Sequence, residues 1–325
     1  MNTLIDMASD LGVWLSRELE VVSSVMSSHL ENKHPEVNKI CAELAAYKGK
    51  MLRPSLLLLS WRAVSDSTTV PTSIQKSAAV VELIHLATLV HDDVLDEADL
   101  RRGTQTLNNL RGNEAAVMLG DYLLSSAFHL CSTIKCVELN ILLGEVTNTL
   151  CSGELIQLSH RNNVDLDIDS YYQIIHDKTA SLIEASCEMG GVLGGGDDKE
   201  VSVLKDFGVL IGTAFQIKDD LLDLLAKRKD IGKPAGRDLE KGKLTLPVID
   251  MLAKNPSLKS GVRLAMLNND QPALHAMLDS TGSIAGAFDE VGRLVDRATA
   301  GIKSNFSNNS SNQLCKLAEQ LKLPL

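Results

Sequence analysis

Two segments limit the fold more than anything else in the chain. "SAAVVELIHLATLVHDDVLD" (77–96) and "FGVLIGTAFQIKDDLLDLLA" (207–226) are helical in period yet apolar on more than one face. A helix that is apolar all round must be surrounded by other helices, so both belong in the middle of a large bundle. Their acidic residues are gathered towards one end of each segment, which places those groups near the mouth of the bundle. Strand signals are nearly absent elsewhere. Helical periodicity is interrupted by short polar stretches at 66–74, 161–169, 194–200, 227–243, 268–272 and 304–312. No shift of composition and no internal repeat divides the sequence. The expectation is a single all-α domain over 1–325, one large helical bundle with a central cavity.

Only 3% of the residues are aromatic, so the core must rest on Leu, Val, Ile, Ala and Met. A net charge of −10 argues against a nucleic-acid surface. It does not exclude an anionic substrate, because bound metal or local cations can reverse the field within a site. The six cysteines form no CxxC pair and no zinc-like grouping with histidine, which reads as reduced thiols in an intracellular, cytoplasmic protein. The first twenty residues start acidic, and Leu4, Ala8, Leu11, Leu15 and Leu19 recur as one face of an amphipathic helix rather than as a secretion signal. Purely apolar runs stay as short as Leu56 to Leu59, so no transmembrane segment is expected.

Each central segment carries the same acidic box: DDVLD (Asp92, Asp93, Asp96) and DDLLD (Asp219, Asp220, Asp223). Asp92 and Asp96 are one helical turn apart on one face, as are Asp219 and Asp223, and like charges at that spacing repel. A hard divalent cation removes the penalty, and Mg²⁺ typically takes one or two carboxylates with waters and substrate phosphates. One isolated box of this kind is most often a solvated acidic face. Two copies, both on the most apolar helices of the chain, point to metal instead.

Basic residues stand at intervals around the boxes: Lys50 and Arg53 in "GKMLRP", Arg101 and Arg102 in "RRG", Lys178 in "HDKTASL", and Lys233 and Lys243 in "GKPAGRDLEKGK". A single Lys or Arg is ordinarily a surface charge. Carboxylate-bound metals ringed by cations suit a diphosphate, whose oxygens are shared between metal and guanidinium forks.

The order GKxxRP, H-x6-DDxxD, RRG, GD, KT, FQxxDDxLD and GK resembles the trans-isoprenyl diphosphate synthases, or polyprenyl synthetases, over about residues 40–250. The resemblance implies the all-α isoprenoid synthase fold. It implies a reaction in which an allylic diphosphate ionises, isopentenyl diphosphate attacks the allylic cation, and a proton is lost. Asp92, Asp96 and Asp219 would then be the principal magnesium ligands, with Asp93, Asp220 and Asp223 assisting, around three ions when substrate is bound. Arg101, Lys178 and Lys233 would hold the allylic diphosphate. Lys50, Arg53, His85 and Arg102 would hold isopentenyl diphosphate without metal, with Phe215 packed beside that site. Thr179 and Gln216 would offer oxygen dipoles to the cation. The loop 227–243, with Lys243, would close over the site and exclude water. The family often has GGKRLRP where this chain has "YKGKMLRP", so Lys48 and Met51 replace a glycine and a basic residue while Lys50 and Arg53 remain.

The growing chain is expected to run from the metals past Thr88 and Ala87, then Ile84, then Val81 and Val80. From Asp92 to Val81 is roughly 16 Å of helix. Positions four and five before Asp92 are small, so the path reads as open and the product as medium or long, resembling octaprenyl-type members. A short-chain farnesyl or geranylgeranyl synthase is the alternative. Leu123, Leu124 and Ala127 are expected to line the opposing wall and Phe128 to floor it. A class I terpene cyclase would use one such box and need no isopentenyl diphosphate set, and an inactive partner subunit would usually lose a box. The family resemblance further implies a two-fold homodimer through the helix at 115–130, and a product handed to a membrane.

Overall fold

The computed structural model of the chain describes residues 9–47, 49–225 and 236–324, with the side chain of Ala46 excepted. The architecture is all-α, as the periodicity indicates. Helices α1 (Asp10–Leu30), α2 (Pro35–Ala42), α3 (Leu52–Ser65) and α4 (Thr72–Leu95) lead into a hairpin of β1 (Leu100–Arg101) and β2 (Thr104–Gln105). After it come α5 (Leu107–Arg111), α6 (Asn113–Ser132), α7 (Val137–Ser159) and α8 (Ile168–Ile175). A π-helical turn over His176–Ala180 joins α8 to α9 (Ser181–Leu193), which precedes the long α10 (Asp198–Leu225). The rest is α11 (Arg237–Glu240), α12 (Leu246–Lys254), α13 (Lys259–Asn268), α14 (Gln271–Asp279), α15 (Ser283–Asn305) and α16 (Asn309–Glu319).

The described residues form two compact units. The first takes in the described residues within Met1–Thr147, Leu182–Gly208 and Gly301–Leu317; the second takes in those within Asn148–Ser181, Val209–Ala300 and Ala318–Leu325. In the first, α4 packs against α1, α3 and α6. Its buried set Ala78 to Val81, Leu83, Ile84, Leu86, Ala87 and Val90 covers most of its circumference, as expected of a helix enclosed by others. Leu56 to Leu59 are all fully buried, so α3 is enclosed in the same way. The face of α1 that turns inward is Leu15, Val22, Met26 and Leu30. Ser9 caps that helix by accepting the Gly12 N–H at 3.1 Å, and the expected Leu4 and Ala8 lie outside the described residues.

The strand pair is a departure from an otherwise helical reading. Leu100 pairs with Gln105 and Arg101 with Thr104, leaving Arg102 and Gly103 as a two-residue turn with φ of 52° and 79°. Positive φ at both turn positions matches the right-handed twist of the flanking strands. Gly103 takes that conformation freely, whereas Arg102 bears a cost of roughly 1–2 kcal/mol. Thus the RRG sequence is a tight hairpin as well as a pair of cations.

In the second unit Asp167 caps α8 by accepting the Ser170 N–H at 2.7 Å. The π turn that follows sends the Ser181 N–H back five residues to the His176 carbonyl. Such single turns interrupt the regular register and are frequent at functional sites. Here the turn carries Lys178 and Thr179.

Candidate active site

The first acidic box occupies the last turn of α4, with Asp96 as the C-cap and its N–H bonded to the Asp92 carbonyl at 2.8 Å. No basic residue lies in that turn. A helix C-terminus carries the negative end of the backbone dipole, so carboxylates there are doubly unfavourable without a cation. Asp92 and Asp96 are both partly exposed, whereas Asp93 is buried. Adjacent residues on a helix point about 100° apart, and the structure uses the difference. Asp93, expected as a further metal ligand, turns into the fold and takes a forked pair of bonds from Arg101: Nε to both carboxylate oxygens at 3.0 Å, and Nη2 to Oδ1 at 2.7 Å. That pair fixes the hairpin against α4.

Tyr47, buried beside them, accepts the Leu107 N–H at 3.1 Å on its hydroxyl, and the Arg101 guanidinium lies 5.7 Å from its ring centroid. Burial pushes the Tyr47 hydroxyl up to about 12. His91 anchors the same turn to α6. Its Nε2 is 3.2 Å from the Val117 carbonyl and 3.5 Å from an Asp121 oxygen, and its ring fills the space above Gly120. A Cβ at position 120 would lie 2.1 Å from that nitrogen, so the glycine of the GD pair is a steric requirement.

The residues expected to hold isopentenyl diphosphate gather in the same unit. The Arg102 guanidinium lies against Gly49, about where a Cβ there would touch it at 3.4 Å. His85 is held well below its usual range by burial first and then by Arg53, Arg101 and Arg102, so it is a neutral imidazole among cations. Burial also draws Arg53 down to about 10, against the opposing pull of Glu82. Lys50 is exposed. Behind the box, Val81, Ile84 and Ala87 are buried, and half-buried Thr88 donates its hydroxyl to the His85 carbonyl at 2.8 Å. On α6, Leu123 and Ala127 face inward. Phe128, expected to floor a tunnel, is 40% exposed and points away from the core, along with Val117 and Met118.

The second box lies in the last two turns of α10, again with no basic residue in the final turn. Asp219 is exposed and shares a face with Phe215 one turn earlier, which is also exposed. Asp220 is buried. Its Oδ2 accepts the Tyr171 hydroxyl at 2.7 Å, and its Oδ1 accepts the Gln216 amide at 2.7 Å. Burial pushes its carboxyl up to about 7, against those two bonds, with Asp219 and Asp223 adding to the rise. Asp223 turns to the segment beyond the box, accepting the N–H groups of Arg237 at 3.2 Å and Asp238 at 2.9 Å.

Gln216 also accepts the Thr179 hydroxyl on Oε1 at 2.7 Å. Thr179, Gln216, Asp220 and Tyr171 therefore form one hydrogen-bonded chain that fixes the Gln216 amide, with Asp220 accepting from both Gln216 and Tyr171. Lys178 is ion-paired with Glu154 of α7. Of the expected closing loop, the stretch from Gly236 to Lys243 is tied down through Asp223 and by the Asn162 N–H bonded to the Gly242 carbonyl at 2.8 Å; Lys233 lies outside the described residues. Sequence reasoning missed Tyr47, Glu82, Glu154 and Tyr171, none of which stands in an acidic or basic run.

The donor set suits a hard divalent cation, being carboxylate oxygen without thiolate or imidazole. Among the described residues no group of three or more His, Cys, Asp or Glu side chains is preassembled to hold a metal ion. Magnesium, which keeps waters and substrate oxygens in its shell, needs no such cage. Among the described residues no helix is long and apolar enough to cross a membrane.

Residues 34–277 match the family described as polyprenyl synthetase. The chain is 33% identical over 294 residues to the octaprenyl diphosphate synthase of Escherichia coli K12, covering 89% of this chain and 90% of that one. It is 36% identical over 211 residues to a short chain isoprenyl diphosphate synthase of Methanothermobacter thermautotrophicus, covering 63% and 64%. The crystal structure of a decaprenyl diphosphate synthase from Rhodobacter capsulatus superposes with a TM-score of 0.89 at 31% identity, covering 96% of this chain and 97% of that one.

Proposed function

This chain belongs to the polyprenyl synthetase family and is a prenyltransferase, and from that premise we propose how its residues divide the work. The product is a trans-polyprenyl diphosphate of medium or long chain, extended by isopentenyl diphosphate from an allylic diphosphate primer. Asp92, Asp96 and Asp219 are the magnesium ligands. These carboxylates would hold the magnesium ions, three with bound substrate by family resemblance, and the ions would supply Lewis-acid neutralisation of the charge gathering on the leaving diphosphate. The observation that carries this reading is the recurrence of one arrangement. Both boxes sit at the C-terminal end of an apolar helix with no basic residue in the last turn, and in each the second aspartate is turned inward and occupied.

Arg101 and Lys178 hold the allylic diphosphate, each oriented by a carboxylate, Asp93 and Glu154 respectively. Lys233 belongs to the same set by family resemblance. As the allylic C–O bond breaks, its electron pair leaves with the diphosphate, and donors fixed in advance stabilise that charge without reorganising. Thr179 and Gln216 present oxygen to the allylic cation. Their lone pairs are aligned by the bond between them, and neither is a strong nucleophile. Isopentenyl diphosphate is held by Lys50, Arg53, neutral His85 and Arg102, with Phe215 beside it. Its double bond attacks the cation, a new C–C bond forms, and a proton is lost to give the new double bond.

The tail runs past Thr88, Ala87, Ile84 and Val81, where small or aliphatic side chains leave no aromatic stop. The exposed Val117, Met118 and Phe128 on α6 supply the apolar surface for a two-fold homodimer in the cytoplasm, and the product passes to a membrane. The test is to incubate the protein with magnesium, isopentenyl diphosphate and separate allylic primers, and to weigh the products. Products longer than geranylgeranyl diphosphate support the reading. Termination at farnesyl or geranylgeranyl length overturns the chain-length claim, and absence of any elongation overturns the whole.

A further inference from the structure

Tyr47 ends a short helical turn, Glu43–Tyr47, two residues before Gly49 and the segment that carries Lys50 and Arg53. It is 2% exposed, and both its polar tip and its ring are engaged. The hydroxyl accepts the N–H of Leu107, the first residue of α5, at 3.1 Å. The guanidinium carbon of Arg101 lies over the ring, 5.7 Å from its centroid. An aromatic face attracts a cation at up to about 6 Å, and more strongly where water is excluded.

Arg101 is thereby held in two directions. Asp93 takes the guanidinium edge that carries Nε and Nη2, and Tyr47 covers one face. A fork on one edge still lets the plane tilt about it, whereas a ring against the face stops the tilt. The Nη1 end then points away from Asp93, and its donors suit a diphosphate oxygen. The next arginine meets the same segment differently. A Cβ on Gly49 would lie 3.4 Å from Nη1 and from Nη2 of Arg102, so one arginine faces a ring and the other a bare backbone. The hairpin itself is closed by other bonds. Ala98 accepts the Thr106 hydroxyl at 2.5 Å and the Asn108 amide at 3.1 Å, so the hairpin does not depend on the ring of Tyr47.

We propose that Tyr47 is a positioning residue for the allylic diphosphate, its ring holding the plane of the Arg101 guanidinium so that the Nη1 end meets the leaving group. The proposal rests on the reading of Arg101 as a ligand of that diphosphate. Tyr47 does not touch substrate, and its two parts have separate tasks. The hydroxyl ties α5 to the segment before Gly49, which serves stability. The ring orients Arg101, which serves the reaction. A donor fixed before the allylic C–O bond breaks stabilises the departing charge without reorganising, and an arginine free to tilt loses that advantage. The primer, rather than isopentenyl diphosphate, is the substrate that registers the loss.

The test uses the full chain with magnesium and reads kcat/KM for the allylic primer, KM for isopentenyl diphosphate, and Tm. Tyr47→Leu, which removes the ring, is expected to lower primer kcat/KM about tenfold, with the isopentenyl diphosphate KM within about twofold. Tyr47→Phe keeps the ring but leaves the Leu107 N–H without its acceptor. It is expected to lower Tm while primer kcat/KM stays within about threefold. Placed on Arg101→Lys, whose ammonium has no plane to orient, Tyr47→Leu is expected to add less than about a twofold loss. Tyr47→Met carries the same test if Tyr47→Leu does not fold. Equal losses of primer kcat/KM in Tyr47→Phe and Tyr47→Leu, or losses that multiply in the double variant, would make Tyr47 purely structural and overturn the proposal. So would an unchanged primer kcat/KM in Tyr47→Leu. An unchanged primer kcat/KM in Arg101→Lys would instead overturn the assignment of Arg101 itself, and this proposal with it.

Discussion

The two acidic boxes have nearly the same sequence and opposite inner electrostatics. In DDVLD the second aspartate meets a cation: Arg101 forks onto Asp93, and both side chains are largely withdrawn from water. In DDLLD the second aspartate meets neutral donors: Tyr171 and Gln216 hold Asp220, and burial lifts its carboxyl to about 7. The outer aspartates differ less. Asp92 and Asp96 are partly exposed and Asp219 is exposed, at helix ends where negative charge is unwelcome. On the proposed reading the shared motif sets where metal would bind, while the inner residue is set by what the rest of the unit packs against it. In the first box it locks a cationic hairpin in place. In the second it locks an amide beside the threonine of the KT pair.

The sharpest way to break this comparison is to remove the outer residues. Asp92→Ala or Asp219→Ala should lower turnover by about a thousandfold or more, with unchanged helical circular dichroism, since each removes a ligand used mainly in the transition state. Near-normal turnover in either variant would show that its box does not work through metal. Removing the inner residues should separate the boxes by stability. Asp93→Asn strands a buried guanidinium and should cost about 3–5 kcal/mol in the denaturant unfolding of metal-free protein. Asp220→Asn keeps an acceptor for Tyr171 and removes no cation's partner, so it should cost about 1 kcal/mol or less. Equal losses would mean that the inner residues are equivalent after all.

A smaller effect on rate, with a large one on product, tests the residues before each box. Four positions before Asp219 stands Phe215; four before Asp92 stands Thr88. Ala87→Phe or Thr88→Phe should shorten the product towards farnesyl or geranylgeranyl length, while the first condensation stays within about tenfold, or about 1.4 kcal/mol. The cause is steric, because a close-packed interior has no room for both the ring and another isoprene unit. An unchanged product distribution in both variants would send the tail along another route.

Much of this was legible in the sequence because the relevant signals are local. Helical period, polar breaks and two DDxxD boxes each occupy fewer than about thirty residues, and the enclosed helix α4 appears where its apolar circumference predicts. The division of labour inside each box was not legible. Adjacent aspartates on a helix must point in different directions, which indicates that one of them is engaged elsewhere, but the partner of Asp220 comes from Tyr171, 49 residues away. Nothing in the spacing links them. The hairpin was hidden for another reason: two-residue strands are too short to show alternation, and only the Arg102–Gly103 pair hinted at a turn. Phe128 was misplaced because an apolar residue on an amphipathic helix reads as interior, whereas here it joins the exposed side of α6.

The central claim is that Asp92 and Asp96 of the first box and Asp219 of the second take the metal, while each box keeps its second aspartate for the protein. A crystal structure with magnesium and a non-hydrolysable allylic diphosphate analogue tests it most directly. The account predicts magnesium–oxygen distances of about 2.0–2.1 Å to Asp92, Asp96 and Asp219, with Asp93 still on Arg101 and Asp220 still on Tyr171 and Gln216. Magnesium bound directly by Asp93 or Asp220, or a diphosphate held without contact to Asp219's metal, would contradict it.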